Sequence, residues 1–156
     1  MKVATLAIIT KDDRILLGRK QGKPEIGEGT LNGPGGKQEP NESIVECLVR
    51  EVKEELDIEL PEAATEKCAV ITFHAGGVPD FEVHVYRVSD FIGEPKETES
   101  MVPEWHALDA IPYERMLESD RVWFPLVVSG KKFAANVWYQ ERAKGFSGID
   151  FLPFTE

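Results

Sequence analysis

The chain has 156 residues, 42% of them hydrophobic and 29% charged, and a net charge of −10. That is the size of a single domain, read as residues 1–156, with enough chain for its own core and therefore expected to be a monomer. No apolar run approaches the roughly 18–20 residues of a membrane-spanning helix, so no membrane partner is expected. The acidic balance gives no general attraction for a DNA or RNA backbone, so a nucleotide partner would be a small molecule rather than a polymer.

Val3–Thr10 and Arg14–Arg19 are apolar runs with β-branched residues, separated by Lys11-Asp12-Asp13, and read as a hairpin. The first run turns to charge at Lys11 without a small-residue cleavage site, which favours a core strand over a signal peptide. Residues 21–37, rich in Gly and Pro, read as an irregular loop leading into a helix. Cys68–Ala75 and Phe81–Val88 read as strands joined by Gly76-Gly77-Val78-Pro79, and 93–104 as an acidic loop. A short helical segment is expected near Pro112 and another over Val122–Val128, then a strand over Phe133–Gln140 and an extended apolar tail over Gly148–Phe154. Strands and helices mix without regular βαβ alternation, which points to a layered α/β or α+β fold rather than a doubly wound parallel sheet. Cys47 and Cys68 sit in no CxxC or Cys/His pattern and read as reduced thiols of a cytoplasmic protein. His74, His84 and His106 form no HExxH or HxH pair, which argues against zinc.

The helix carries the chemistry. Ser43 followed by Glu46 is a capping-box signature. Ile44, Leu48, Val52 and Leu56, flanked by Val45 and Val49, form a buried stripe. At about 100° per residue, Glu51, Glu54 and Glu55 fall within an arc of roughly 100° beside that stripe, with Lys53 on the other side. Arg50 can orient one of them but cannot balance three. Like charges at this spacing cost about 0.2–0.5 kcal/mol per pair. A solvated, charge-laced surface helix would carry similar letters. Two features favour a divalent cation: the carboxylates border the buried stripe, and the glycines 33, 35 and 36 immediately before the helix permit close backbone approach, so that a carbonyl there could join them. Hard oxygen clusters suit Mg²⁺, with Mn²⁺ as an alternative, and those ions serve phosphate chemistry. The glycines fit neither a P-loop, because Gln38 follows Lys37, nor a dinucleotide fingerprint, because Gln38 stands in place of its third glycine.

Gly36, Glu42, Arg50-Glu51-Val52, Glu54-Glu55 and Ile58 fall at the spacing of the Nudix box, and on these residues the chain resembles the Nudix hydrolase family. One position departs: Asp57 stands where the box has a glycine, and Asp tolerates the left-handed conformation that ends the helix. The resemblance implies an α/β/α sandwich with a mixed sheet, and Mg²⁺-dependent hydrolysis of a nucleoside diphosphate linked to another group. It makes Glu51, Glu54 and Glu55 metal ligands, assisted by the Gly36 carbonyl, with Arg50 and Glu42 holding loop and helix in register. A glutamate of the helix, or Glu97 or Glu99 from a later loop, would activate water; loop solubility would explain the last two equally well.

LNGPGGK, EVHVYRV, IPYERM and WFPLVV extend the resemblance to family members that hydrolyse oxidised purine nucleoside triphosphates such as 8-oxo-dGTP. By that likeness Asn32 and Asp120 face the purine edge, and Thr5 and Lys20 are pocket residues. Leu117 stands where those members have a tryptophan and Ser119 where they have an aspartate; loss of a stacking face is worth about 1–3 kcal/mol per base. Trp123, Phe124 and Trp138 are taken as core. The expected activity is release of monophosphate and pyrophosphate from oxidised purine nucleoside triphosphates. The alternatives are the same chemistry on a general nucleoside triphosphate, an ADP-sugar or a dinucleoside polyphosphate, or a nucleotide sensor without turnover. The intact glutamates argue against the sensor.

Overall fold

The computed structural model describes residues 1–22 and 29–156; the part of the glycine-rich loop expectation that falls on 23–28 lies outside the described residues. Strands β1 (Lys2–Lys11) and β2 (Arg14–Lys20) form the expected hairpin. Its turn residues Asp12 and Asp13 both have positive φ, 52° and 61°, the turn whose twist matches the flanking strands. A two-residue strand β3 (Leu31–Asn32) follows, then helix α1 (Ile44–Leu56), β4 (Thr65–Ala75), β5 (Val78–Val88), β6 (Met101–Ala107), α2 (Asp120–Val128), β7 (Phe133–Glu141) and β8 (Lys144–Leu152). The strands make one eight-stranded mixed sheet in the order β3-β2-β1-β5-β4-β7-β8, with β6 on β2. The β1–β5 and β4–β7 pairs are parallel; β1–β2, β2–β6, β4–β5 and β7–β8 are antiparallel.

Alternation along β1 divides the core. Leu6 and Ile8 pack with Trp123, Phe124 and Val127 of α2 on one face. Ala7 and Ile9 pack with Leu48, Val52 and Leu56 of α1 on the other. The sheet therefore lies between two helices, the α/β/α sandwich the sequence implied. Leu48, Val52 and Leu56 are fully buried, and each such side chain contributes about 1.5–3 kcal/mol relative to exposure. That is several times the cost of a like-charged pair, so the apolar stripe decides where the helix sits and the acids follow.

Both ends of α1 are built as the sequence suggested. The Ser43 hydroxyl accepts from the Glu46 N–H at 3.0 Å, and the Glu46 carboxylate accepts from the Ser43 N–H at 2.7 Å. Asp57 closes the helix at φ 59°, ψ 38°. Several boundaries differ. The β4–β5 turn is only Gly76-Gly77, so Val78 and Pro79 belong to β5, while β3 interrupts the expected loop. The segment expected to be entirely loop over 93–104 ends in β6. Pro103 and the acidic flank mask it, and the proline is tolerated because among the described residues β6 pairs only with β2. Finally, β8 begins at Lys144, ahead of the apolar tail.

Candidate active site

The loop before α1 threads between the helix and β1. The Gly36 carbonyl accepts from the Thr5 N–H at 2.9 Å, and the Pro34 carbonyl from the Ala7 N–H at 2.8 Å. A Cβ on Gly35 would overlap the Thr5 carbonyl, and one on Gly36 would overlap the Glu51 carboxylate. Glycine is required at Gly35 by the close approach of backbone to backbone, whereas a side chain at Gly36 would displace the Glu51 carboxylate.

Arg50 then ties loop to helix. Its guanidinium donates to Glu42 at 2.7 and 2.9 Å, to Glu51 at 2.8 Å, to Glu54 at 3.3 Å and to the Lys37 carbonyl at 3.1 Å. The Arg50 guanidinium and the Glu39 N–H hold the Glu42 carboxyl down at about 2. Glu42 completes the loop by accepting from that N–H at 2.8 Å. Glu55 lies in the opposite condition. Loss of hydration raises it to about 7, and the charges of Glu51 and Glu54 push the same way. Lys20 and the Gly35 N–H, which donates to Glu55 at 2.7 Å, only partly offset this.

Glu51, Glu55, Gly35 and Gly36 border one end of a cavity of about 810 Å³ that runs across the α2 face of the sheet. Of the residues singled out by sequence, Thr5, Lys20, Asn32, Leu117, Asp120 and Glu99 also line it, whereas Glu54, Ser119 and Glu97 do not. Glu54 is 58% exposed and paired with Arg50. Glu97 accepts from Gln21 at 3.3 Å on the surface. Two of these positions gain detail. The Gly36 carbonyl accepts from the Thr5 N–H and lies within reach of the Thr5 hydroxyl at 3.5 Å and the Cys47 thiol at 3.4 Å, so those groups hold the oxygen in place. The Thr5 hydroxyl points to Gly36 and Cys47 on the α1 side, so it does not offer a polar contact to a base.

At the far end, Asp120 is buried, and one of its carboxylate oxygens, Oδ2, has no hydrogen-bond partner. Burial pushes its carboxyl up to about 8, against smaller opposing pulls from the Leu117 backbone and the Trp123 indole. Asn32 uses its side-chain oxygen to accept from the Gly33 N–H at 2.8 Å, which leaves its NH₂ to donate. The sequence did not single out Phe81, Val83 or Tyr139, which complete this wall; parallel pairing across the sheet brings them in. Trp123 is core, as expected, and also lines the cavity. Trp138 is only partly buried and stacks on His74 at 3.8 Å.

The donor set suits a hard cation. Glu51 and Glu55 present oxygen ligands at one cavity end, and burial is what chiefly raises the Glu55 carboxyl, a cost that a bound cation would offset. Among the described residues no three His, Cys, Asp or Glu side chains already converge as a cage.

The NUDIX domain profile matches residues 1–127. The chain belongs to the Nudix hydrolase family. It is 34% identical over 140 residues to an oxidized purine nucleoside triphosphate hydrolase of Danio rerio, covering 89% of this chain and 87% of that one. The mouse protein of the same description is also 34% identical, over 142 residues, covering 90% and 88%. Among solved structures, the mutator MutT protein of Bacillus halodurans superposes with a TM-score of 0.82 over 97% of both chains at 22% identity. A MutT Nudix hydrolase of Burkholderia pseudomallei is 33% identical with a TM-score of 0.61, covering 71% of this chain and 86% of that one. In this Nudix hydrolase the box residues are thus the Gly36–Ile58 loop and helix, and no helix among the described residues is long and apolar enough to cross a membrane.

Proposed function

We propose that this enzyme hydrolyses oxidised purine nucleoside triphosphates such as 8-oxo-dGTP to the monophosphate and pyrophosphate, as a monomeric cytoplasmic enzyme that cleans the nucleotide pool. The observation that carries the reading is a single cavity with carboxylates at one end and a buried, unpartnered carboxyl oxygen at the other. The two animal relatives named for that activity support it.

Glu51, Glu54 and Glu55 are the residues that would hold Mg²⁺, or Mn²⁺ in its place. The bound cation supplies charge neutralisation for the pyrophosphate oxygens during attack at phosphorus. Arg50 holds Glu51 and Glu54 in place, and the Gly35 N–H fixes Glu55. Lys20, whose charge Glu55 feels, faces the phosphates. Of the two later-loop candidates, Glu99 is the one bordering the cavity and is the better placed to take the proton of the attacking water. At neutral pH a carboxyl raised to about 8 is protonated, so Asp120 donates to a purine carbonyl while the Asn32 NH₂ offers a second donor.

The experiment is a turnover screen with Mg²⁺ and pyrophosphate readout. It covers 8-oxo-dGTP, 2-oxo-dATP, the four ordinary dNTPs, an ADP-sugar and a dinucleoside polyphosphate. The oxidised purines are expected to show the highest kcat/KM, with turnover lost on chelation and restored by Mg²⁺. Leu117, which supplies no stacking ring, is the observation favouring a general nucleoside triphosphate instead; equal kcat/KM for dGTP and 8-oxo-dGTP would establish that second reading. Binding without turnover of any nucleotide would sink both.

A further inference from the structure

Ser119 occupies the position before α2 where a serine hydroxyl ordinarily accepts an N–H from the first turn of the helix. It makes no such cap. Its N–H and its hydroxyl go instead to Tyr139 of β7. The Ser119 N–H donates to the Tyr139 hydroxyl oxygen at 3.0 Å, and that hydroxyl donates to Ser119 Oγ at 2.9 Å. Ser119 is fully buried and Tyr139 nearly so. A two-point clamp in a water-poor setting is therefore formed between segments twenty residues apart.

The clamp holds the middle of a short turn whose two ends face the cavity. Leu117 and Asp120 line it on either side of Ser119, and the Asp120 N–H donates to the Leu117 carbonyl at 3.0 Å. Asp120 Oδ2 and the neighbouring Trp123 indole N–H both lack a hydrogen-bond partner. With no hydrogen bond to fix that oxygen, the turn that carries Asp120 helps to set its direction, and the turn is held by Tyr139. The ring of Tyr139 lines the same cavity and packs against Phe146 with centroids 5.6 Å apart.

We propose that Tyr139 is a positioning residue for base discrimination: its hydroxyl clamps Ser119 and thereby aims the Asp120 carboxyl at the base. This rests on reading the cavity as the base pocket. Ser119 is then no second contact to the base but the handle by which the sheet steers the one acid that makes it.

Tyr139→Phe in the full chain keeps the ring and its packing and removes only the clamp. The ratio of kcat/KM for 8-oxo-dGTP to that for dGTP should fall about tenfold, the scale of a lost hydrogen bond. The fall should come through KM for 8-oxo-dGTP, with kcat held within about twofold and dGTP little affected. Ser119→Ala, which keeps the backbone half of the clamp, should move the ratio less and in the same direction. The double variant should be no worse than Tyr139→Phe alone. An equal loss for both nucleotides, an unchanged ratio or an additive double variant would overturn the proposal, because a merely structural tyrosine gives those results. A substrate-free readout separates this from the functional reading: the carbon-13 titration of the Asp120 carboxyl. Its midpoint should move in Tyr139→Phe. An unmoved midpoint overturns the positioning role whatever the substrate. A moved midpoint in a protein inactive on every purine nucleotide leaves the positioning role standing and removes the proposed activity.

Discussion

At the carboxylate end of the cavity, Arg50, Glu51 and Glu55 all come from one thirteen-residue helix, whereas at the base end Asn32, Phe81, Asp120 and Tyr139 come from β3, β5, α2 and β7. The first end is a local object. Helical spacing sets the order of its acids, and a capping box, a left-handed Asp57 and an arginine fan fix the helix against its loop. The second end exists only once the sheet has formed, because its walls lie far apart in the chain. Under the proposed function the two ends would have separate tasks: the local end would carry chemistry that does not depend on which base is bound, and the assembled end the choice of base. Mutations at the two ends should therefore fail in different ways.

The largest expected effect lies at the helix. Glu54→Gln should lower kcat by at least about 100-fold for every nucleotide hydrolysed, the scale of losing a metal or acid–base group. It should leave the thermal midpoint nearly unchanged, because Glu54 is mostly exposed and only edges the Arg50 fan. Steady-state kinetics beside a melting curve checks both halves. A variant with near-normal kcat would remove Glu54 from the reaction and leave the chemistry to Glu51 and Glu55, the two that border the cavity.

A smaller and more selective loss is expected at the base end. Asn32→Ala removes the NH₂ donor and also takes the 2.8 Å partner from the N–H of Gly33, a buried residue, so some stability is lost as well. Discrimination among bases should weaken about tenfold, the range of one neutral hydrogen bond, with little change in kcat. Comparing kcat/KM across purine triphosphates measures it. A uniform fall for all bases would move Asn32 out of the base pocket and blur the division between the two ends.

The same division governs what could be read from the sequence. Glu51, Arg50, the capping box and the Asp57 terminator were legible because helix periodicity and cap chemistry act over three or four residues. The β1–β2 hairpin was legible through its Asp-Asp turn. The strand β6 was hidden by Pro103 and the acidic run before it, since its pairing with β2 is a long-range fact. Phe81 and Tyr139 gave no signal as pocket residues. In sequence each is one more aromatic in an alternating strand, and only the parallel β1–β5 and β4–β7 registers place them in the cavity. Ser119 could be seen as a departure from its relatives, but its partner could not, because nothing local joins it to Tyr139. The Gly36 carbonyl could be named from the sequence, but not the Thr5 and Cys47 groups that hold it.

The last test is one of stability, and it isolates the base end without any substrate. Burial raises the Asp120 carboxyl to about 8 in the folded chain, from the 3.8 of an unperturbed aspartate that serves for the unfolded chain. Below about pH 4 both states hold the proton and the group favours neither. Between about pH 4 and 8 the unfolded chain releases the proton while the folded chain keeps it, so stability falls as pH rises. Above about 8 the folded state ionises too and the loss levels off. Asp120→Asn has no proton to release, so its thermal midpoint relative to the parent should climb steadily from pH 4 to 8 and then stop climbing. Each kcal/mol is worth about 2–4 °C in a domain of this size. The slope is the diagnostic, since any effect of the amide itself shifts the midpoint at every pH alike. Parallel curves for the two proteins would mean that Asp120 is already ionised in the folded state at neutral pH; the base end would then offer a purine an acceptor in place of a donor.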